Sequence, residues 1–306
     1  MKKFFPSTFQ GWFEVFFIGS ICLGCLFVVF TFILDNQFLS SHAGKNIAQS
    51  YSSSADTQVF LLQDKSTIAI KNSVRTVQYD LDGKKFENIA LSPSNTYVIL
   101  VTREVKAQET QPPQFSVFNL DTKKLTLLPI GGNNPTFLDD DTIAYDINGK
   151  IHIAKLSDPE NVTRLVAGTH PSAIVGKNTF VYQTPQHQLA IFRIETLESV
   201  LLPIEFNAFS PAVSPNGELI AFLTATESVP CGPFCHRDMW VYEVLTRKYW
   251  PISTSGNTSH PRWFNNQGVV AKSDFQLKFA SPQLVPPMYE FNVKGTDAPK
   301  IFQMYP

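Results

Sequence analysis

The hydrophobic and polar positions divide this chain into one long apolar segment near the N-terminus and many short alternating runs after it. The apolar segment extends from Val15 to Leu34 and holds 20 residues without a charged one. At about 1.5 Å per residue, a helix of this length spans roughly 30 Å, the thickness of the hydrocarbon core of a bilayer. The pattern therefore predicts a transmembrane helix at 15–34, preceded by a short segment at 1–14.

The charges that flank the apolar segment predict its orientation. Lys2 and Lys3 precede it and Asp35 follows it directly, and positive residues stay preferentially on the cytoplasmic side. We therefore expect the N-terminus inside a bacterial cytoplasmic (inner) membrane and the rest in the periplasm or the extracellular space. The alternatives are a cleaved signal peptide, whose apolar part is usually only about 7 to 15 residues long, and a lipoprotein signal at Cys25.

A polar, Ser-rich stretch follows the apolar segment, and residues 35–55 show no sustained apolar period. This composition predicts a flexible tether. In residues 56–306, short runs of β-branched and aromatic residues alternate between Gly, Pro, Asn and Asp turns, with hardly any helical periodicity. The pattern predicts an all-β domain over 56–306.

The alternating runs recur in a fixed order, which indicates a repeat architecture. The clearest copy runs from Ser210 to Thr224 (SPAVSPNGELIAFLT) and continues with Met239–Leu245 and Tyr249–Ile252. We interpret it as an inner strand, a turn at Pro215–Gly217, a second strand, a long connection and two outer strands.

Five further copies follow the same order. Their first segments are Val59–Leu62 in a fainter first copy, then Ile89–Asn95, Asn134–Leu138, His170–Ala173 and His260–Trp263. Successive copies are separated by about 30 to 50 residues, close to the roughly 40 to 50 residues of a propeller blade. The repeats predict a six-bladed β-propeller preceded by a single transmembrane helix.

The repeat also resembles that of a known family. SPAVSPNGELIAFLT followed by MWVYEV is similar to the repeat of TolB-type six-bladed propellers, in which an S-P-D-G turn joins the first two strands of a blade. SHPRWFNNQGVV and ALSPSNTYVILV match the repeat fairly. The resemblance implies the fold, and by analogy a protein-binding role. TolB carries an α/β domain ahead of its propeller, which residues 35–55 are too short to contain.

Four inner strands place a polar residue directly before a proline, and these residues are Asn134, His170, Ser210 and His260. Because equivalent positions of successive blades form a ring, we expect them at one mouth of the axial channel. Such a ring could hold a metal, a carboxylate or a peptide end. The alternative is structural, because polar residues before proline often bond to the backbone of the neighbouring blade.

The long connection of the clearest copy contains Cys231 and Cys235. In an oxidising compartment this spacing predicts a disulfide that closes a tight loop around Gly232 and Pro233. Free or redox-active thiols are one alternative, and a metal site that includes the adjacent His236 is another.

Composition and motifs exclude several classes of function. The 25 Lys and Arg are balanced by 26 Asp and Glu, so no bulk positive charge favours nucleic acid as a partner. The sequence contains no nucleophile-elbow, zinc-protease, phosphate-loop or dinucleotide motif, and we predict no catalytic residue, metal or cofactor. The acidic run Asp139–Asp141 lacks the alternating ligands of a calcium loop and is predicted to be a solvated turn.

These observations predict a non-enzymatic propeller that binds an envelope protein or peptide and serves in envelope organisation or transport. We expect contact surfaces at the channel mouth and at two long connections, Arg103–Gln114 and Thr226–Asp238. One alternative is an enzyme that uses the channel, of the glycan hydrolase or lyase type. Another is a purely structural envelope tether.

Overall fold

Twenty-four β-strands form the part of the chain that the structure describes. The computed structural model describes residues 48–53, 57–62, 64–81, 83–103, 113–225, 237–253, 258–263, 265–273, 288–294 and 300–301. The strands form six antiparallel sheets of four, and within each sheet the strands follow one another in chain order. The predicted all-β, six-bladed propeller is therefore confirmed.

Each sheet is one blade, and its strands are numbered in chain order from the channel outwards. The first three blades contain β1 (Ala48–Ser53), β2 (Thr57–Leu62), β3 (Thr67–Asn72) and β4 (Thr76–Asp80); β5 (Asn88–Leu91), β6 (Tyr97–Thr102), β7 (Gln114–Asn119) and β8 (Leu125–Gly131); and β9 (Asn133–Phe137), β10 (Thr142–Ile147), β11 (Lys150–Lys155) and β12 (Thr163–Ala167).

The last three blades repeat this arrangement. They contain β13 (Thr169–Ile174), β14 (Thr179–Gln183), β15 (Leu189–Arg193) and β16 (Glu198–Leu201); β17 (Ala208–Val213), β18 (Leu219–Ala225), β19 (Arg237–Glu243) and β20 (Tyr249–Ser253); and β21 (Thr258–Trp263), β22 (Gly268–Ser273), β23 (Met288–Asn292) and β24 (Lys300–Ile301).

The inner strands close a ring around an axis. Each inner strand contacts the inner strand of the next blade, and β21 of the sixth blade contacts β1 of the first. Because every blade consists of consecutive strands, no strand of one chain end completes a sheet that belongs to the other end. Packing between the first and sixth blades therefore closes the ring.

The hydrophobic core lies between the blades. Five clusters of buried side chains each join two successive blades, from the first and second blades to the fifth and sixth. The second strands β6, β10 and β18 are buried along nearly their whole length. Strands covered on both faces consist of nearly continuous apolar runs, which explains the sequences YVILVT, TIAYDI and LIAFLTA.

The turn between the first two strands has the same geometry in the second and fifth blades. Gly217 N donates to Ser214 O at 2.8 Å, and the Ser214 hydroxyl accepts from Leu219 N at 2.9 Å. In the second blade, Asn95 N donates to Ser92 O at 3.0 Å. The turn requires a left-handed residue, and Gly217 (φ 73°) and Asn95 (φ 62°) are types that adopt this conformation readily. The turn predicted at Pro215–Gly217 is thus observed.

The acidic run also forms a turn, and its carboxylates bond to the protein. Asp139 accepts from the backbone amide of Asp141 at 2.8 Å, and Asp141 accepts from Ser157 N at 2.8 Å. Asp140 accepts from Ser94 N of the preceding blade at 2.8 Å. Within the described residues, no group of three or more His, Cys, Asp or Glu side chains is arranged to hold a metal ion.

The N-terminal boundary of the propeller requires a correction. Strand β1 at Ala48–Ser53 lies inside the predicted tether, residues 35–55, and pairs with β2, so Val59–Leu62 belongs to the second strand and not to the inner one. Its sequence AQSYSS lacks the apolar alternation from which a strand would be predicted.

The remaining N-terminal predictions, the segment at 1–14, the helix at 15–34 and the tether before residue 48, lie outside the described residues. Among the residues that are described, no helix combines the length and the apolar character needed to cross a membrane.

Hydroxyl side chains of three inner strands connect a blade to the next one. Each accepts a hydrogen bond from a backbone amide of the following inner strand. The three pairs are Ser52 with Leu91 N at 3.0 Å, Thr136 with Ala173 N at 3.2 Å, and Ser172 with Val213 N at 2.9 Å. These bonds satisfy backbone donors on the channel side of the sheets, where no further strand is available.

Replacement of Ser172 by alanine should destabilise the propeller. The variant leaves the amide of Val213 without its acceptor, so we expect the free energy of unfolding to fall by about 1 to 3 kcal/mol. Urea unfolding followed by tryptophan fluorescence measures the change. Ser73→Ala, in an exposed turn, is the control and should change the value by less than about 0.5 kcal/mol. Equal stabilities of the two variants would contradict the proposed role of the inter-blade bond.

Candidate functional site

The four predicted ring residues occupy the same position in four successive inner strands and share an unusual backbone conformation. Their φ angles are 48° at Asn134, 52° at His170, 48° at Ser210 and 54° at His260. Residues other than glycine rarely adopt positive φ, and residues before proline are normally extended. Such a conformation costs on the order of 1 to 3 kcal/mol per residue and persists only where the surrounding structure imposes it.

A β-bulge at each ring position explains this conformation. In the fourth blade, Thr169 and Ser172 pair with β14, whereas His170 and Pro171 between them have no partner in the ladder. The same interruption occurs in β9, β17 and β21. Proline lacks the N–H that a ladder requires, and a bulge removes it from the ladder. The proline thus determines where the neighbouring polar residue is placed.

The bulged backbone amides are bound by side chains of the preceding blade. Asp146 Oδ2 accepts from His170 N at 2.9 Å and from the side-chain amide of Asn134 at 2.8 Å. One blade later, Gln183 Oε1 accepts from Ser210 N at 3.3 Å. Asp146 and Gln183 are both buried near the ends of second strands. In these two cases a second-strand side chain accepts a hydrogen bond from the backbone of a ring residue. The structural alternative had the opposite arrangement, in which the side chain of the ring residue bonds to the backbone of the neighbouring blade.

Three of the ring residues line one cavity at the edge where inner strands begin and second strands end. We call this cavity the polar mouth; its volume is about 360 Å³. It is lined by Glu87, Asn88, Val101, Arg103, Asn133, Asn134, Asp146, His170 and His260. The structure therefore places Asn134, His170 and His260 around one cavity.

A second cavity, which we call the axial cavity, extends from the ring towards the turns at Pro93 and Pro215. Its volume is about 150 Å³, and Asn134, His170 and Ser210 are among its lining residues. Ser210 thus belongs to the axial cavity and not to the polar mouth, while Asn134 and His170 line both.

His170 carries the strongest electrostatic signature of the ring. Burial lowers the pKa of its imidazole, the carboxylate of Asp146 opposes this shift, and the positive charges of Arg262 and Arg237 add to it. The imidazole is therefore neutral at neutral pH. Its Nδ1 atom is buried and has no hydrogen-bond partner among the described residues, so a polar atom remains available for a ligand.

Two arginines lie at the edge that surrounds the polar mouth. Arg103, at the end of β6, forms an ion pair with Glu87 at 3.3 Å and donates to Asn133 Oδ1 at 3.2 Å. Arg237, at the beginning of β19, lies over the ring of Phe209 with 5.5 Å between the guanidinium carbon and the ring centre. Both residues stand at ends of the long connections predicted as contact surfaces.

Long connections between second and third strands all start from this edge. Residues 104–112 and 226–236 of the two predicted contact segments lie outside the described residues, and so do Cys231 and Cys235. The disulfide between these cysteines stays a prediction. A third connection, 274–287 between β22 and β23, leaves the same edge and was not singled out from the sequence.

Sequence reasoning missed Asp146, Gln183 and Arg262. Asp146 and Gln183 share a position near the end of the second strand, and an alignment of the repeats in that region would have shown two polar residues in otherwise apolar strands. Arg262 follows His260 by two positions, where other blades have Thr136 or Ser172. The charge of Arg262 at an inner-strand position, where two other blades have a hydroxyl residue, was the signal that could have identified it.

Six blades around a channel with a polar mouth define a TolB-like six-bladed β-propeller. Sequence comparison with models of known protein families finds no match, and comparison with curated proteins finds none either. The assignment therefore rests on the fold, as seen in the described strands.

Solved structures with the same fold include TolB from Acinetobacter baumannii, with a TM-score of 0.59, 15% identity and 78% of this chain covered. The match spans 62% of the TolB chain. An oligogalacturonate lyase from Vibrio parahaemolyticus matches with a TM-score of 0.53 and 14% identity, over 78% of this chain and 75% of the lyase. Hydrazine synthase from Kuenenia stuttgartiensis has a TM-score of 0.50 and 12% identity, over 85% and 96% of the two chains. At such identities the matches establish the fold alone.

The lowered pKa of His170 predicts a loss of stability in mild acid. Unfolded histidine titrates near pH 6.5, so below that pH the unfolded chain binds a proton that folded His170 resists. The contribution is fully present above about pH 6.5 and is lost as the pH falls towards the folded pKa. Urea unfolding at several pH values should show this decline.

His170→Asn is the matched variant, because Asn134 adopts the same left-handed conformation in the preceding blade. The variant should show a weaker decline of unfolding free energy between pH 7 and pH 5. His152, whose pKa is also lowered by burial and by Arg164 and Lys150, contributes equally to both proteins. Identical pH profiles would refute the assignment to His170.

Proposed function

We propose that this chain is a non-enzymatic, extracytoplasmic binding protein, held to the cytoplasmic membrane by the helix at 15–34. Its propeller binds a protein or peptide of the cell envelope, in envelope organisation or transport. The observation that carries the proposal is the polar mouth, where Asn134, His170 and His260 meet beside the long inter-strand connections.

The chemistry of the polar mouth suits a peptide. Amide and imidazole side chains offer both donors and acceptors, which main-chain groups of a peptide require. A volume of about 360 Å³ lies at the lower end of the range for ligand pockets, roughly 300 to 1,000 Å³. The mouth therefore accommodates a peptide end or one inserted loop, and the surrounding connections can add contact area to a larger partner.

The charged groups at the mouth favour binding over catalysis. Glu87 pairs with Arg103, and Asp146 accepts two hydrogen bonds that hold Asn134 and His170. The two bonds of Asp146 hold Asn134 and the backbone of His170 at the bulge, so this carboxylate is engaged in the structure of the mouth. We therefore assign Asp146 a positioning role.

A channel enzyme of the glycan lyase or hydrolase type is the second candidate. It is favoured by one observation, that Glu87, Asp146, His170 and His260 all line the polar mouth. The oligogalacturonate lyase of similar fold makes an acidic oligosaccharide a suitable probe. If the full chain cleaves oligogalacturonate and the Asp146→Asn variant does not, the protein is a channel enzyme and the proposed binding function is wrong.

Photo-crosslinking in intact cells tests the binding function. A photoreactive residue at Gln114, exposed at the edge of the polar mouth, should capture a partner of defined mass. The control position is Leu245, which is 90% exposed in a turn at the opposite edge, and it should capture none. His170→Asn combined with His260→Asn should reduce capture at Gln114 about tenfold, equivalent to ~1.4 kcal/mol of binding. Equal capture at both positions, or none at either, would favour a purely structural tether.

Membrane fractionation tests the anchor. The full chain should stay with membranes after alkaline carbonate washing, because the run 15–34 buries 20 uncharged residues. Leu26→Lys combined with Val29→Lys should release the protein, since each lysine near the centre of a membrane helix costs about 2.5 to 3.5 kcal/mol. The control, Leu245→Lys, should remain bound. Release of the unaltered chain would contradict the anchor.

A further inference from the structure

One arginine, Arg262, is among the residues that line the axial cavity. Arg262 lies on β21, two residues after His260, and this inner-strand position carries Thr136, Ser172 and Ala212 in three other blades. Among the described residues that line the axial cavity, Arg262 is the only Lys, Arg, Asp or Glu. The described part of the cavity wall therefore carries one positive charge and no negative one.

The guanidinium group of Arg262 has one hydrogen bond to a backbone carbonyl and no ion-pair partner among the described residues. Its NH1 atom donates to Pro261 O at 3.0 Å, which uses one of the five N–H groups of an arginine. Among the described residues, no carboxylate lies within the 4.0 Å of an ion pair with Arg262. Burial lowers the pKa of Arg262, and the half-buried residue lines the axial cavity. A partly desolvated charge without a counter-ion carries a cost that a bound anion would offset.

Other groups of the cavity wall add hydrogen-bond donors. The hydroxyl oxygens of Ser52, Thr136 and Ser172 each accept a backbone amide of the next blade. Since a hydroxyl both donates and accepts, the three protons remain free to donate. His170 contributes the buried Nδ1 atom that has no partner among the described residues, and this atom donates in the tautomer that carries its proton there. The wall is thus rich in donors, which is the composition of an anion site.

From this arrangement we infer that the axial cavity binds a carboxylate group, which pairs with Arg262 and accepts a hydrogen bond from His170. The planar guanidinium matches a carboxylate with two parallel hydrogen bonds. The size also fits, because a cavity of about 150 Å³ holds a molecule as large as benzene. A phosphate, with up to two negative charges, would demand more cations than this wall supplies.

The inference rests on the proposed function only for the source of the carboxylate, which is the C-terminus or an acidic side chain of the bound peptide. Asn134 and His170 line both cavities, so a peptide end that enters through the polar mouth reaches Arg262. A free small carboxylic acid offers the same chemistry, and the experiment separates the two sources.

Calorimetric titration of the purified full chain tests the inference. The probes are N-acetyl-tetra-alanine with a free carboxylate, the same peptide as its C-terminal amide, succinate, and inorganic phosphate. We expect the free-acid peptide to bind at least about tenfold more tightly than the amide, the scale of a hydrogen bond to a charged group. Arg262→Gln should weaken the free-acid peptide about 10- to 100-fold and leave the amide unchanged.

Arg193→Gln is the matched control, because Arg193 is exposed at the end of the third strand β15 and contacts Glu198 of the outer strand β16 at 3.9 Å. It should bind every probe as the unaltered protein does. Without a probe, Arg262→Gln should unfold at an equal or higher urea concentration, since it removes an uncompensated charge. A clear loss of stability would make Arg262 a structural residue and overturn the inference.

The imidazole of His170 gives an independent readout. A bound carboxylate should raise the pKa of His170, measured by its proton resonances, because a negative charge joins Asp146 against the positive charges of Arg262 and Arg237. Phosphate binding as tight as that of the free-acid peptide, or an unchanged pKa at saturation, would overturn the carboxylate assignment. If succinate binds through Arg262 and the peptide does not bind, the axial cavity is a carboxylate site. The source of the carboxylate is then a free small acid and not a peptide.

The two proposals fail in different ways. If the Gln114 crosslinker captures a partner but no carboxylate probe depends on Arg262, the carboxylate inference falls and the binding function stands. If the probes depend on Arg262 but the polar mouth captures nothing in cells, the binding function falls and the carboxylate site stands.

Discussion

The inner strand of every blade is an edge strand, and the rest of the structure depends on how its unpaired backbone groups are satisfied. No further strand can pair with it on the channel side, and buried amides without partners are costly. Side chains of the preceding blade supply the missing acceptors, as Ser172 does for Val213 and Asp146 does for His170. The same bonds connect successive blades. The hydrogen bonds that satisfy the edge strands therefore hold the ring together, as do the apolar clusters between the sheets.

The candidate site is a consequence of this arrangement. A proline in the inner strand removes a donor and forces a bulge, and the bulge turns the preceding polar residue into the left-handed region. Acceptors such as Asp146 are already hydrogen-bonded at the bulge. The hydroxyl protons, the Nδ1 atom of His170 and most N–H groups of Arg262 remain available to bind a ligand. The polar mouth therefore offers mixed groups suited to a peptide backbone, and the axial cavity offers donors suited to an anion.

Similar propellers carry different functions, because function lies in residues added to a common frame. TolB and an oligogalacturonate lyase share this frame with the chain at 15% and 14% identity. In this chain the two carboxylates at the polar mouth, Glu87 and Asp146, are each bound by neighbouring groups.

The sequence by itself determined the six repeats, the turn at Pro215–Gly217 and the register that unites Asn134, His170 and His260, because alternation, turn residues and prolines act within one blade. It missed β1, since AQSYSS has the composition of a linker and becomes a strand only by pairing with β2. Only the tertiary structure decided the roles of Asp146 and Arg262, because the partner of Asp146 belongs to the next blade and the isolation of Arg262 depends on the whole channel wall. Contacts within a blade follow the local order of residues, whereas contacts around the axis depend on how the blades close the ring.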